Sequence, residues 1–517
     1  MGDPTAESAA KARLDRHVSV SFASQASYPS TPPFHPAHPY PEYPFAGQLG
    51  SEPNSAYDAA RESLHLLGLD RENYGTPAWN PLGEIVRPGD CVLLKPNFVK
   101  ESRTDVLSEW IQVITHGSVI RAVADYVYIA LRGHGRIIVA DGPQTDSDFD
   151  AIRELTGLRV LQDFYRQSAG FQLEVYDLRN EHWIERDGVY VDRERLAGDP
   201  AGTVAADLGA RTHLSDIGSN KYYGAFYDIE ETNRHHSNGH HEYAFCLTPL
   251  LADVVIHLPK LKTHKKCGVT INLKGLVGLN GNKNWLPHYI FGTPKNKGDQ
   301  FADPSVVHAI ENALVRWAKK LLLGDSWVAR VVARKLKSHA YGVFGKTSNT
   351  VRSGNWYGND TVWRMALDLA AVLTFADADG RLHDSPQRRF FSVVDGIIAG
   401  EGNGPMEADA LPTGIIVSGS SPVSVDAVCA RLMGFDYRKL PIIANAFRPT
   451  PWPFVQHRYD EIRVFSNRSD VDTALLSDPT RRIFQFRPHF GWVGRIELPT
   501  EAASSTTPAK TLASVQD

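Results

Sequence analysis

The chain has 517 residues, of which 42% are hydrophobic, 22% charged and 10% aromatic, so it can bury a large core, and collagen-like, coiled-coil and wholly disordered readings fall away. Fifty-five Lys and Arg stand against 59 Asp and Glu, a formal net charge of −4; no global basic field argues for nucleic acid, and any recognition of charge is local. At about 150 residues per domain the length allows one to three domains.

Residues 1–50 carry YPSTPPFHPAHPYPEYPF, alternating prolines and aromatics without a period of 2 or 3.6, which predicts a Pro/aromatic-rich tail or a strap across another surface. Prolines lack backbone donors, so this segment is expected to lie on a surface already formed and to be dispensable for folding, unless Phe34, Tyr40 and Phe45 complete the core. Residues 51–498 are expected to form an α/β domain with an insertion at about 284–360, and residues 499–517 a disordered tail. The turn Arg87-Pro88-Gly89-Asp90 opens the short apolar run CVLLKP, followed by a helix with Val119, Ala122, Val123, Val127 and Leu131 on one face and a stop at Gly133 and Gly135. RIIVADGP is the next strand, and strand, helix, strand in this order predicts a right-handed βαβ unit with parallel strands. LADVVIHLPKLK, FFSVVDGIIAG and TGIIVSGSSP are further buried strands, the last running into the helix PVSVDAVCARLMG. Together these predict α/β architecture with a mixed or mostly parallel sheet flanked by helices, its site along the strand ends. Residues 314–337 hold seven Lys/Arg and one Asp among apolar residues, a basic helical pair broken at Gly324-Asp325. This insertion is a candidate contact with an anionic membrane surface or an oligomer partner.

No two of Cys91, Cys246, Cys267 and Cys429 share C-x-x-C spacing, which argues against a cysteine-held zinc or iron–sulfur site and against a disulfide framework. No stretch reaches about 18 uninterrupted apolar residues, and the expected location is cytoplasmic.

The densest polar cluster, PKLKTHKKCGVTINLKGLVGLNGNK at 259–283, holds Lys260, Lys262, His264, Lys265, Lys266, Lys274 and Lys283 with glycines at 268, 275, 278 and 281. Cationic points beside glycines that let backbone N–H groups approach are what an anion site requires. The spacing of an extended chain predicts Lys260, Lys262 and His264 on one face. A solvated basic loop is the bland alternative; the interleaved Val269, Ile271, Leu273 and Leu276 argue for packing instead. The second cluster, VVDGIIAGEGNGP at 393–405, sets Asp395, Glu401 and Asn403 among four glycines in nine residues. It predicts a carboxylate base or metal-binding loop facing the same cleft, or else a long hairpin connection. Lys95 and Asn97 in KPN, and Asp141 in DGP, emerge at one edge if their strands are parallel neighbours. The tract NRHHSNGHHEY offers His235, His236, His240 and His241, spaced for a metal but set in a glycine- and asparagine-containing loop.

At KPNFV, at LPKLKTH…VTINLKGLVGLNGNK and at VVDGIIAGEGNGP…SSPVSVDAVCARLMGFD, the chain resembles the domain of unknown function 362 family, over most of residues 88–445. The family's K-P-N corresponds to Lys95, Pro96 and Asn97, and its P-K-x-K-T-H to Pro259, Lys260, Lys262, Thr263 and His264. Its K-N-x-x-G block is represented by Lys274 and Gly278, with Gly275 in place of the asparagine, and its D-G-I-x-x-x-E-G-N-G-P by Asp395 through Pro405. Many relatives carry or neighbour ferredoxin-like cysteine motifs, and this chain has none. The resemblance implies a fold and a site without naming a reaction.

The favoured reading is an enzyme acting on a small anionic molecule, phosphorylated, nucleotide-linked or carboxylate. Lys95, Asn97, Lys260, Lys262, Lys274 and Asn403 are the candidate binding residues, His264 a proton relay, and Asp395 or Glu401 a base or metal ligand. The alternatives are a metal- or organometallic-cofactor isomerase or redox enzyme, and a non-catalytic protein that binds anions or a membrane surface. The sequence specifies no cofactor or metal.

Overall fold

Short strands that are apolar on both faces belong inside a sheet covered on both sides. A computed structural model describes residues 12–499 apart from 187–188, 218–220, 225–227, 306–312, 314–349 and 479. The basic segment at 314–337 and the Ser/Thr-rich end from residue 500 lie outside the described residues.

Among the described residues, ten strands form one mixed sheet: β1 (His17–Phe22), β2 (Cys91–Pro96), β3 (Arg136–Asp141), β4 (Leu173–Asp177), β5 (Val254–Leu258), β6 (Lys260–His264), β7 (Gly268–Thr270), β8 (Arg389–Asn403), β9 (Glu407–Gly419) and β10 (Arg463–Ser466). Their order across the sheet is β10-β1-β9-β8-β5-β2-β3-β4, with β6 alongside β8 and β7 folded back on β6. From β8 to β4 the strands run parallel, while β9 is antiparallel to both β8 and β1.

Alternation within the strands builds two cores. Val92, Leu94, Ile137, Val139, Val254 and Ile256 face helices α1 (Ser55–Leu66), α2 (Gly117–Leu131) and α3 (Leu158–Ala169). Leu93, Ile138 and Val255 face α4 (Val362–Phe375) and α5 (Pro422–Leu432). The predicted βαβ unit is β2-α2-β3, with Cys91 opposite Arg136 and Leu94 opposite Val139. No helix among the described residues is long and apolar enough to cross a membrane.

Two expectations give way to packing. Residues 395–403, read as a glycine loop, lie inside β8 and pair with β9 from Asn403 opposite Glu407 back to Ser392 opposite Gly419, so the hairpin alternative describes them. The glycines serve close packing there, since a Cβ on Gly400 would stand 2.9 Å from the Cβ atoms of Lys262 and Ala408. The Pro/aromatic segment is a strap rather than a free tail. β1 sits between β9 and β10, and beyond it Phe34, Tyr43 and Phe45 are buried in the helix-side core. Its prolines shape the strap, and its aromatics supply apolar area that helices α2 and α3 leave uncovered.

Candidate functional site

The carboxyl ends of β2 and β3, strands β6 and β7 and the turn that follows them enclose a cavity of about 280 Å³. This is where an open α/β sheet places ligands. Asn97, Lys262, His264 and Lys274 line it together with Asp141, Lys265, Lys266, Thr270, Lys283 and His288.

Asp141 ends β3, and its charge is already answered: it accepts from Lys95 Nζ at 2.7 Å and from the N–H groups of Phe98 at 2.7 Å and Gly142 at 2.9 Å. Lys95 therefore stands behind the cavity wall, fully buried and paired, with Asn97 at the lining. Gly278 packs directly over this pair, and a Cβ there would collide with the Asp141 carboxylate.

Among the described residues, Lys262, Lys274 and Lys283 have no carboxylate partner of this kind. Lys262 is fully buried, donates to the carbonyl of Val113, and among the described residues has no carboxylate within ion-pairing distance. Burial first, then Lys260 and Lys274, holds its pKa well below the usual lysine value. Lys274 projects from the short helix Asn272–Gly275 and likewise has no ion pair among the described residues; burial lowers its pKa too. Asp426 on α5 fixes that helix, accepting from the N–H groups of Asn272 at 2.9 Å and Leu273 at 3.0 Å and from the Asn272 amide at 3.0 Å. Lys283 is held by the Asn280 carbonyl at 2.8 Å, and burial brings its pKa down to about 8.

The two histidines are set in opposite senses. His264 Nδ1 accepts from the N–H groups of Lys266 at 3.0 Å and Cys267 at 3.1 Å, so the neutral ring carries its proton on Nε2. His288 Nδ1 lies 2.9 Å from the Leu286 carbonyl and must donate to it, which leaves Nε2 as a bare acceptor. Burial, followed by the neighbouring lysines, keeps both pKa values well below the ordinary histidine value, so both rings are neutral at pH 7. Among the described residues, the buried Asn97 Oδ1 and Thr270 Oγ1 have no hydrogen-bond partner, although each residue lines the cavity. Buried polar atoms left unpaired mark a place where a ligand or water completes the bonding.

The structure does not bring the other sequence candidates here. Lys260 is fully buried but pairs with Asp395 at 3.1 Å and donates to the Tyr28 hydroxyl at 2.8 Å. Asp395 also accepts from Tyr28 at 2.5 Å and from the N–H of His116 at 2.9 Å, and neither it nor Lys260 lines the cavity. Of Lys260, Lys262 and His264, the last two line the cavity and Lys260 does not; the β6–β8 register shifts between Lys260, opposite Asp395, and Lys262, opposite Gly400. Glu401 is bound to Arg487, accepting from Nε at 2.7 Å and from the main-chain N–H at 2.9 Å, and Asn403 lines a neighbouring cleft with Asp409. Only the tip of this hairpin, Pro405 and Met406, reaches the cavity. Conversely, sequence reasoning did not find His288. It lies in the short strand Pro287–Ile290 between apolar neighbours, where one histidine carries no local signal.

Residues 191–431 match the family model described as Domain of unknown function (DUF362). That stretch belongs to the DUF362 family. It contains Lys262, His264, Lys274, His288 and β8, whereas the Lys95–Asn97 corner of the cavity lies outside the matched residues. No curated protein matches the chain. Among solved structures, the lactate racemase apoprotein from Thermoanaerobacterium thermosaccharolyticum is 10% identical, with a TM-score of 0.27, over 73% of this chain and 55% of that one. A crystal structure of a protein from Thermotoga maritima is also 10% identical, with a TM-score of 0.29, over 71% of this chain and 56% of that one. The chain thus spans just over half the length of either structure.

Proposed function

We propose that the protein is an enzyme that draws a small carboxylate or phosphate into the cavity and removes a proton from it. The observation that carries this reading is the pair Lys262 and Lys274, two cations without carboxylate partners among the described residues, in one cavity with two neutral histidines of opposite tautomer. An anion between the lysines relieves their mutual repulsion. The bare Nε2 of His288 is the base. His264 offers Nε2–H to the substrate oxygen on which negative charge grows; as a neutral imidazole it acts as a hydrogen-bond donor and not as a relay, because its Nδ1 is occupied by two main-chain donors. The negative charge of the bound molecule raises the His288 pKa toward working range, which couples binding to basicity. Abstraction next to a carbonyl or carboxyl group is the reaction class that uses a base, an oxyanion donor and two cations together.

The test is a panel of small carboxylates and phosphate esters in D2O, followed by proton NMR. At least one compound is expected to exchange a carbon-bound proton with wild type, and with neither His288→Phe nor Lys274→Ala. If no compound exchanges and no anion in the panel raises the melting temperature, the reading is wrong.

A further inference from the structure

The histidine tract singled out in the sequence takes no part in the cavity, but it assembles a second constellation. Strands Thr203–Asp207 and Glu242–Cys246 pair antiparallel with Asp207 directly opposite Glu242. Both carboxylates therefore leave the ladder on one face at its end, and like charges placed opposite each other destabilise a ladder unless a cation lies between them. The chain turns through Asn238 and Gly239, both at positive φ, and sets His240 beside the pair. His240 Nδ1 is 3.1 Å from Asp207 Oδ2 and 3.9 Å from Glu242 Oε1. One ligand atom from each of the three residues lies within 4.8 Å of the others.

The carboxylates are oriented from behind. Asp207 Oδ1 accepts from the N–H groups of Gly209 at 2.9 Å and His241 at 3.0 Å, which leaves Oδ2 turned to the histidine. Glu242 Oε2 lies 3.0 Å from His235 Nδ1, and the His235 ring is stacked on Trp285 at 3.3 Å. One oxygen of each acid is thus anchored and the other is available, the pattern in which partners behind a ligand set aim it at an ion.

We propose that Asp207, His240 and Glu242 form a binding site for a first-row divalent cation, Zn²⁺ foremost. Two carboxylates balance the charge of the ion, and an imidazole selects it over Ca²⁺ and Mg²⁺, which prefer all-oxygen shells. Water fills the remaining positions, because Asp207 and His240 are solvent-exposed. The ion clamps a ladder whose far end abuts the cavity: Ala244 accepts from the N–H of Gly281 at 2.9 Å, and Phe245 bridges to Asn280, in the turn that leads to Lys283.

Metal-stripped full-length protein titrated with ZnCl2 by calorimetry is expected to show one tight equivalent and a rise in melting temperature. His240→Ala, whose side chain is 62% exposed and whose loss leaves the core intact, is expected to weaken that equivalent at least tenfold, and Glu242→Gln likewise. With 20 histidines in the chain, weaker sites elsewhere are common to wild type and variants, so the difference between them is the readout. Absence of a stoichiometric site in wild type, or equal binding in His240→Ala and wild type, overturns the proposal.

Discussion

Lys262 shows what an unpaired buried lysine costs a fold. Its side chain is fully buried beside Lys260 and Lys274 and, among the described residues, bonds only a carbonyl; burial of an unpaired charge is among the most expensive choices a core can make. Methionine keeps most of the stem and removes the charge. Lys262→Met is expected to leave the melting temperature at pH 7.5 unchanged or a few degrees higher, and to abolish stabilisation by added phosphate. The direction with pH follows from the depressed lysine: the folded chain gives up this proton well below the unfolded value of about 10.4, so the penalty shrinks as pH rises toward that value. The variant's advantage should accordingly narrow between pH 7.5 and pH 9.5 in urea unfolding. A variant much less stable than wild type at pH 7.5, still responsive to phosphate, would make Lys262 a packing residue.

The short helix Asn272–Gly275 is too brief to hold itself, and its orientation depends on α5. Asp426 accepts three donors at its start, so this carboxylate aims Lys274 across the distance between two elements. Burial raises its pKa to about 7, against the lowering effect of those same donors. Folded protein thus keeps a proton that the unfolded chain releases near 3.9, and the group's contribution to stability is full below about pH 4 and lost as pH climbs to 7. Asp426→Ala does not titrate there. The free-energy difference between wild type and this variant, read from urea unfolding, is expected to fall steadily from pH 5 to pH 7. A flat difference would mean that Asp426 is ionised throughout. The variant is also expected to lose part of its phosphate response, since Lys274 is no longer held, while the cations themselves remain.

For the molecule as a whole, the amino-terminal strap decides cooperativity. β1 is an interior strand between β9 and β10, and Phe34 and Phe45, 3% and 5% exposed, complete the core over α2 and α3. Losing either ring costs about 3–5 kcal/mol by the usual effect of large-to-small core substitutions, a large share of the 5–15 kcal/mol that holds a typical domain. Deleting residues 1–45 is therefore expected to give a chain without a cooperative unfolding transition, and Phe45→Ala a folded protein with a markedly lower melting temperature. A truncated chain that melts within a few degrees of wild type would show that the strap is dispensable after all.

The apolar runs and their alternation were enough to read a mostly parallel α/β sheet and the β2-α2-β3 unit, and they pointed to the strand ends where the cavity lies, because side-chain period reports burial locally. The lysine-rich segment was legible for the same reason: Lys262, His264 and Lys274 follow a buried strand and must emerge at its end, where Asn97 meets them from β2. What sequence period does not carry is which residues meet across long separations. Pairing of β6 with β8 sets Lys260 opposite Asp395, where it bonds that carboxylate and Tyr28, and Glu401 on β8 is taken by Arg487. His288 enters the cavity from a strand with no pattern of its own, and the strap joins the core through rings whose proline-rich context resembles a solvated tail. Each of these depends on register and packing between distant segments, and those are settled by the collective filling of the core, where a one-residue slip re-aims every side chain that follows.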